Sequence, residues 1–219
     1  MTLVNRKDDK PIIWPDSSQI DPISNLLLSK TLQELDSNFY KLCEKYAITQ
    51  FCLVSIYTTP SLQKKMDCFD TYPNGWIKHY ESKQYYLYDP VFSQFGTFHF
   101  PFPWSLDSLS KIEQTPIQKT FLSEAYNHNI QKGITFPFSP RLSDQNFLTI
   151  LDHSKLHPEI LPILSIAADT YCKHKKTLKN RERLSLLTER EREVLHYKTK
   201  QLSLQEISSI LKISPATIN

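Results

Sequence analysis

LSLLTEREREVLHYKTKQLSLQEISSILKISPATIN, residues 184–219, carries three helix starts in quick succession. Thr188 is followed three positions later by Glu191, and Ser203 by Glu206. Each pair is a capping box, in which the hydroxyl accepts from a first-turn N–H and the glutamate reaches back to the cap N–H. Ser214 stands before Pro215, an N-cap with proline at the first helical position. Val194 and Leu195 fall on the first helix, Ile207, Ile210 and Leu211 on the second, and Ile213 bridges a very short turn. This order predicts a helix-turn-helix with a small core between Ile207 and Ile218. A generic three-helix bundle is the competing reading. The short turn, the agreement of all three caps and the basic residues on the helices favour DNA binding.

The charge balance changes just ahead of this stretch. Residues 173–219 hold 11 Lys/Arg against five Glu, a net of +6, while the whole chain carries only +3. Residues 1–172, of net −3, and a basic tail point to two modules, the second able to meet a polyanion. A solvated basic helix face explains the charge equally well. KHKKTLKNRER, residues 173–183, is nearly devoid of apolar residues and reads as a linker, or else as an exposed helix continuing the one before it.

Composition excludes several enzyme classes. Glycine occurs 3 times in 219 residues, at Gly75, Gly96 and Gly133. Phosphate loops and dinucleotide fingerprints need clustered glycines to bring backbone N–H groups to phosphate, so neither is present. The G-x-S-x-G nucleophile elbow is also absent. Cys43, Cys52, Cys68 and Cys172 show no C-x-x-C spacing and read as free thiols. His153 and His157 are four apart, but Pro158 pulls His157 off helical geometry, so no metal site is expected. MTLVNRKDDK lacks the apolar segment of a secretory signal, and no apolar run reaches a membrane span. A cytoplasmic protein that is not an enzyme is expected, without cofactor or metal.

The front module mixes element types. Residues 1–22, with Pro11, Pro15 and Pro22, read as an irregular arm. Leu28, Leu32, Leu35, Phe39 and Leu42 form one stripe of a helix over about residues 24–46. FCLVSIYTT, residues 51–59, reads as a strand. Tyr72-Pro73-Asn74-Gly75 is a turn, after which Trp76 and Tyr80 share a face of a short helix that ends before Asp89-Pro90. HFPFPWS, residues 99–105, must be extended because alternating prolines forbid a helix. Residues 108–131 read as helix, Ile134–Phe138 and Phe147–Leu151 as strands, and Pro158–Cys172 as helix. The order is that of an α+β fold, an α/β/α sandwich.

Two motif sets resemble one family. Leu187, Thr188, Arg190, Glu191, Glu193, Val194 and Leu195, then Glu206, Ile207, Leu211, Ile213, Ser214, Thr217 and Ile218, are similar to the C-terminal DNA-binding domain of LuxR-type regulators. Tyr72-Pro73-x-x-Trp76-x-x-x-Tyr80, Asp89-Pro90-Val91, Pro103-Trp104-Ser105 and Gly133-Ile134-Thr135-Phe136-Pro137 resemble that family's autoinducer-binding domain. The resemblance implies a PAS/GAF-like sensor at 23–172, the linker at 173–183 and a helix-turn-helix at 184–219. It implies a homodimer that binds DNA and an acyl-homoserine-lactone-like signal.

It also implies roles. Trp76 would donate its indole N–H to the lactone carbonyl, Asp89 would accept the amide N–H, and Tyr72 would donate to the amide carbonyl. Tyr80 and Trp104 would wall the ring and chain, and Thr149 would lie near the acyl carbonyl. Taken singly, these are ordinary core or turn residues; the ordered set points to a ligand site. Ser214, Thr217 and Asn219 are the DNA-facing candidates. The family's pattern continues beyond the position of Asn219, so a DNA-binding domain incomplete at its C-terminus is expected. That leaves a second reading: a signal sink, or an inhibitor that pairs with intact regulators.

Overall fold

The computed structural model describes residues 22–59, 61–73, 75–93, 101–141, 144–152 and 156–218. The arm expected at 1–22 (Pro22 apart), His153 and Asn219 lie outside these residues.

A five-stranded antiparallel sheet organises the front module. Its strands are β1 (Phe51–Thr58), β2 (Lys64–Asp70), β3 (Phe102–Ser105), β4 (Lys132–Arg141) and β5 (Asp144–Leu151), in the order β2-β1-β5-β4-β3. Both faces are covered. One face presents Phe51, Leu53, Ile134, Phe136, Leu148 and Ile150 to helices α1 (Pro22–Leu28), α2 (Leu32–Lys45) and α7 (Leu161–Ser185). The other presents Cys52, Val54, Phe147 and Leu151 to a second apolar layer. That layer is built from α3 (Trp76–Ser82), the turn Tyr85–Leu87, α4 (Pro90–Ser93), α5 (Leu106–Ser110) and α6 (Pro116–Asn127). The architecture is the expected α/β/α sandwich.

Local chemistry moves several boundaries. The expected helix over 24–46 is two helices. Thr31 caps α2 by accepting from the Glu34 N–H, while Glu34 accepts from the Lys30 N–H, and this box restarts the helix. Leu26, not Leu28, therefore fills the core, and Leu28 is left exposed. The expected helix over 108–131 likewise breaks, because Thr115 and Gln118 form a capping box ahead of Pro116. β2 carries the polar run KKMDCFD, which masked it, yet it pairs in full register with β1.

The segment read as a linker, or else as an exposed helix continuing the one before it, takes the helical alternative but is not fully exposed. Residues 173–183 continue α7 without a break. Leu164, Ala167, Ala168, Tyr171 and Leu178 lie on one buried stripe, so the sensor core reaches past residue 172. Lys175 and Lys179 bind Asp67 of β2 and fasten the same half of the helix to the sheet.

The C-terminal module holds α8 (Glu189–Thr199), α9 (Leu204–Leu211) and α10 (Pro215–Ile218). Thr188 and Ser203 close the two expected capping boxes. Ser214 accepts from the Thr217 N–H at 3.3 Å. Ile207, Leu211 and Ile218 are the buried core, with Val194, Tyr197, Leu202 and Ile213 against them. Leu195 and Ile210 remain exposed. Lys212 takes the left-handed conformation that ends α9 and reverses the chain within three residues. Arg190 of α8 donates to the Leu211 carbonyl and ties the first helix to that turn.

Candidate functional site

The six sensor residues singled out from the sequence line one cavity. Tyr72, Trp76, Tyr80, Asp89, Trp104 and Thr149 surround a cavity between the sheet and the α3–α6 layer. Cys52, Val54, Met66, Ile77, Val91, Phe92, Leu106, Phe121 and Ile130 complete the wall. An apolar wall with a few converging polar groups is the usual form of a small-molecule site.

Local structure aims each group. Gly75 starts α3 with φ +87°, a conformation that glycine adopts without strain. The helix then brings Trp76 and Tyr80 onto its buried face. Trp76 packs against Tyr80, Phe121 and His128, with ring centroids 5.9, 6.1 and 5.0 Å away. Among the described residues its indole N–H donates to no protein acceptor.

Asp89 is buried and starts α4. One carboxyl oxygen accepts from the Val91 N–H at 2.8 Å, and the other from the Tyr80 hydroxyl at 2.9 Å. Burial raises its pKa to about 7, against the pull of those hydrogen bonds. A carboxylate oxygen accepts more than one hydrogen bond, so Asp89 keeps acceptor capacity toward the cavity. The Tyr72 and Tyr80 phenols are held well above their ordinary range by burial, so both remain O–H donors.

A hydrogen-bond chain crosses the sheet beneath the cavity. Trp104 Nε1–H donates to Thr135 Oγ1 at 3.0 Å, and the Thr135 and Thr149 hydroxyls lie 3.0 Å apart. The Tyr72 phenol lies beside Thr149. An indole can only donate, so Thr135 Oγ1 accepts from Trp104. Trp104 sits directly on Gly133, its partner in the β3–β4 register. A Cβ at Gly133 would come within 2.8 Å of the Trp104 ring and 2.7 Å of the Ile150 carbonyl oxygen.

Sequence reasoning missed Thr135, although it lies inside the quoted Gly133–Pro137 motif and on the same sheet face as Thr149. It also missed Cys52, Val54 and Met66, which look like routine strand residues until β2 is recognised. A polar cluster behind Trp76 was equally hidden. Glu124 accepts from the Tyr85 hydroxyl at 2.6 Å and pairs with His79 Nε2 at 2.6 Å, while His79 stacks on His128. Glu124 comes from α6, 45 residues from His79, a separation with no local signal.

In the C-terminal module, Ser214 and Thr217 are exposed at the start of α10, their hydroxyls 2.8 Å apart. Asn219 lies outside the described residues. Among the described residues, no group of three or more His, Cys, Asp or Glu could hold a metal, and no helix is long and apolar enough to cross a membrane.

Comparison with known proteins gives two family matches. Residues 31–144 match the autoinducer binding domain, and residues 185–219 match the bacterial regulatory proteins of the luxR family. The transcriptional activator protein LuxR of Aliivibrio fischeri is 27% identical over 214 residues, covering 91% of this chain and 81% of that protein. The crystal structure of Escherichia coli SdiA superposes with a TM-score of 0.59 at 19% identity, over 90% of this chain and 84% of that one. The N-acylhomoserine-lactone-dependent LuxR family factor CepR2 of Burkholderia cenocepacia gives 0.53 at 16% identity, over 70% and 87%. These structural likenesses fall on the same fold.

Proposed function

The chain belongs to the LuxR family of bacterial regulators that carry an autoinducer-binding domain, and from that membership we propose that its cavity binds an N-acyl-homoserine lactone and thereby controls DNA binding by α9 and α10. The carrying observation is that all six expected head-group residues, scattered from residue 72 to residue 149, line a single largely apolar cavity.

The head group has one donor and two carbonyl acceptors, and a buried site must satisfy each, since an unpaired polar group costs about 1–3 kcal/mol. The Trp76 N–H donates to the lactone carbonyl. Asp89 accepts the amide N–H. The Tyr72 hydroxyl, held protonated by burial, donates to the amide carbonyl. Tyr80 holds Asp89 in place through its hydroxyl and walls the ring together with Trp104. Thr149 lies beside the acyl carbonyl, and Val54, Met66 and Phe92 face the acyl chain.

Signal binding packs the α3–α6 layer onto the sheet. The regulator acts inside the cell as a homodimer, and Leu27 and Leu28 of α1, with Ile163 and Ile166 of α7, offer exposed apolar surface for pairing. At the DNA, Ser214 and Thr217 meet the operator. Regulation, rather than sequestration of the signal, is the reading that both family matches support.

The test is a thermal shift of the purified full chain with N-octanoyl-homoserine lactone, paired with a reporter assay. Trp76→Phe keeps the ring and removes the donor. It is expected to weaken binding by about tenfold or more, the worth of one buried hydrogen bond. Wild-type protein that no homoserine lactone stabilises, together with a Trp76→Phe reporter response equal to wild type, would overturn the ligand assignment.

A further inference from the structure

Two of the head-group contacts stand on different elements, and one carboxylate ties those elements together. Trp76 opens α3, while Asp89 follows the turn Tyr85–Leu87. Glu124, on α6, reaches both. Its Oε2 accepts from the Tyr85 hydroxyl and pairs with His79 Nε2, each at 2.6 Å. The hydrogen bonds from His79 and Tyr85 hold the Glu124 carboxyl below the ordinary carboxylate range, so it is an acceptor at neutral pH. A carboxylate can only accept, so His79 carries a proton on Nε2.

From His79 the contact passes to Trp76. His79 stacks on His128, with ring centroids 5.7 Å apart and planes at 15°. His128 is itself fixed to α6, because its Nδ1 donates to the Glu124 carbonyl at 2.9 Å. Both imidazoles pack on the Trp76 ring, His128 at 5.0 Å and His79 at 6.2 Å between centroids. Tyr80 and Phe121 confine the same ring further. An indole held this way has little freedom to turn its N–H. From Tyr85 the contact passes to Asp89. Tyr85 is buried, and its carbonyl accepts from the Asp89 N–H at 2.7 Å.

Resting on the head-group reading above, we infer that Glu124 is a positioning residue, which sets the Trp76 donor and the Asp89 acceptor at the spacing that a lactone carbonyl and its neighbouring amide N–H require. Those two ligand groups are joined through a single ring carbon, so their separation is nearly fixed. Glu124 is not among the cavity-lining residues and acts through His79 and Tyr85. The His79–Glu124 pair is partly exposed, and such a pair adds little to stability by itself. Its effect is geometric, because a hydrogen bond weakens steeply as its donor is turned out of line. A binding site is only as exact as the groups that hold its contacts in place.

The experiment joins calorimetric titration of the full chain with N-octanoyl-homoserine lactone to time-resolved fluorescence anisotropy of the ligand-free protein. The Trp76 signal is the difference between each chain and its Trp76→Phe counterpart. Glu124→Ala is expected to weaken binding by about tenfold, the worth of one buried hydrogen bond, and to speed the local motion of Trp76. Glu124→Gln keeps an acceptor oxygen in the same place and should restore most of the affinity and the slow motion. In the Trp76→Phe background Glu124→Ala should cost less than in the wild type, because the two residues act on one contact. Tyr171→Phe removes a hydrogen bond to Asp36 on the opposite face of the sheet, so it controls for general loosening and should change neither readout. Unchanged Trp76 motion in Glu124→Ala, no rescue by Glu124→Gln, an equal loss in the Trp76→Phe background, or an equal loss from Tyr171→Phe overturns the proposal. Wild-type protein that binds no lactone overturns the head-group reading instead, and the ligand-free anisotropy still decides whether Glu124 positions Trp76.

Discussion

The sensor and the helix-turn-helix are stabilised by different means. The sensor depends on a sheet buried on both faces, with Phe51, Phe136, Leu148 and Ile150 holding one side and Phe147 and Leu151 the other. Its contacts join residues far apart in sequence. Among the described residues the C-terminal module buries only Ile207, Leu211 and Ile218, and it relies on hydroxyl caps at Thr188, Ser203 and Ser214. Those contacts span three or four residues. One region is specified by long-range packing, the other by local chemistry at helix ends. Substitutions should therefore act through different physical terms in the two regions.

The largest effect is expected at Phe136, which is fully buried on β4 against the α2–α7 layer. Phe136→Ala should cost about 3–5 kcal/mol through lost burial and a residual cavity. Trp76 and Trp104 both lie in the sensor core, so their fluorescence reports its unfolding in urea. A variant whose tryptophan transition stays at the wild-type midpoint would break the contrast.

Next in size is a pH effect confined to the sensor cavity. Asp89 has its pKa raised to about 7 by burial, against an ordinary value of 3.8. The folded state therefore holds a proton that the unfolded chain releases near pH 4. Stability from this group is full below pH 4, falls as pH rises toward 7 and is level above it, with a slope of at most about 1.4 kcal/mol per pH unit. Asp70 titrates in the same direction, raised by its own partial burial, so the comparison must be made against a variant. Asp89→Asn should flatten the slope between pH 5 and pH 7 in urea titrations. Ligand binding should show the opposite sign, because the amide N–H favours the ionised carboxylate. Affinity then rises by up to about tenfold per unit below pH 7 and levels off above it. An affinity independent of pH from 5.5 to 8 would remove Asp89 from the head-group contacts.

The same contrast explains what was legible in the sequence. Thr188-x-x-Glu191 and Ser203-x-x-Glu206 announce helix starts within four residues, so α8 and α9 could be placed closely. The sandwich order and the six cavity residues were also legible. The cavity set was visible through its resemblance to a family rather than through local pattern. What was hidden is what packing decides. β1 was readable from its β-branched and aromatic run, but β2 is polar enough to pass for a loop. Residues 173–183 look like a solvated linker because their anchors, Leu178 in the core and Asp67 across the sheet, are invisible to composition. Thr135 acquires its role only when β3 lays Trp104 across it.

The smallest effect sharpens the comparison from the C-terminal side. Ser203 accepts from the Glu206 N–H at 3.3 Å, and its own N–H donates to the Glu206 carboxylate at 2.8 Å. Ser203→Ala removes the hydroxyl half of this box and should cost about 1 kcal/mol. That amount is small against the sensor core but large against a module with three buried side chains, because α9 is eight residues long and unstable alone. The expected result is a lower helical signal at 222 nm near the melting range, with tryptophan fluorescence unchanged, since neither core tryptophan lies in α8–α10. Restoring the cap with Ser203→Asp should recover the signal, because aspartate accepts the same N–H and also favours the positive end of the helix dipole. If Ser203→Ala instead lowered the fluorescence transition, the two regions would unfold as one unit, and the continuous α7 would be the element transmitting the loss.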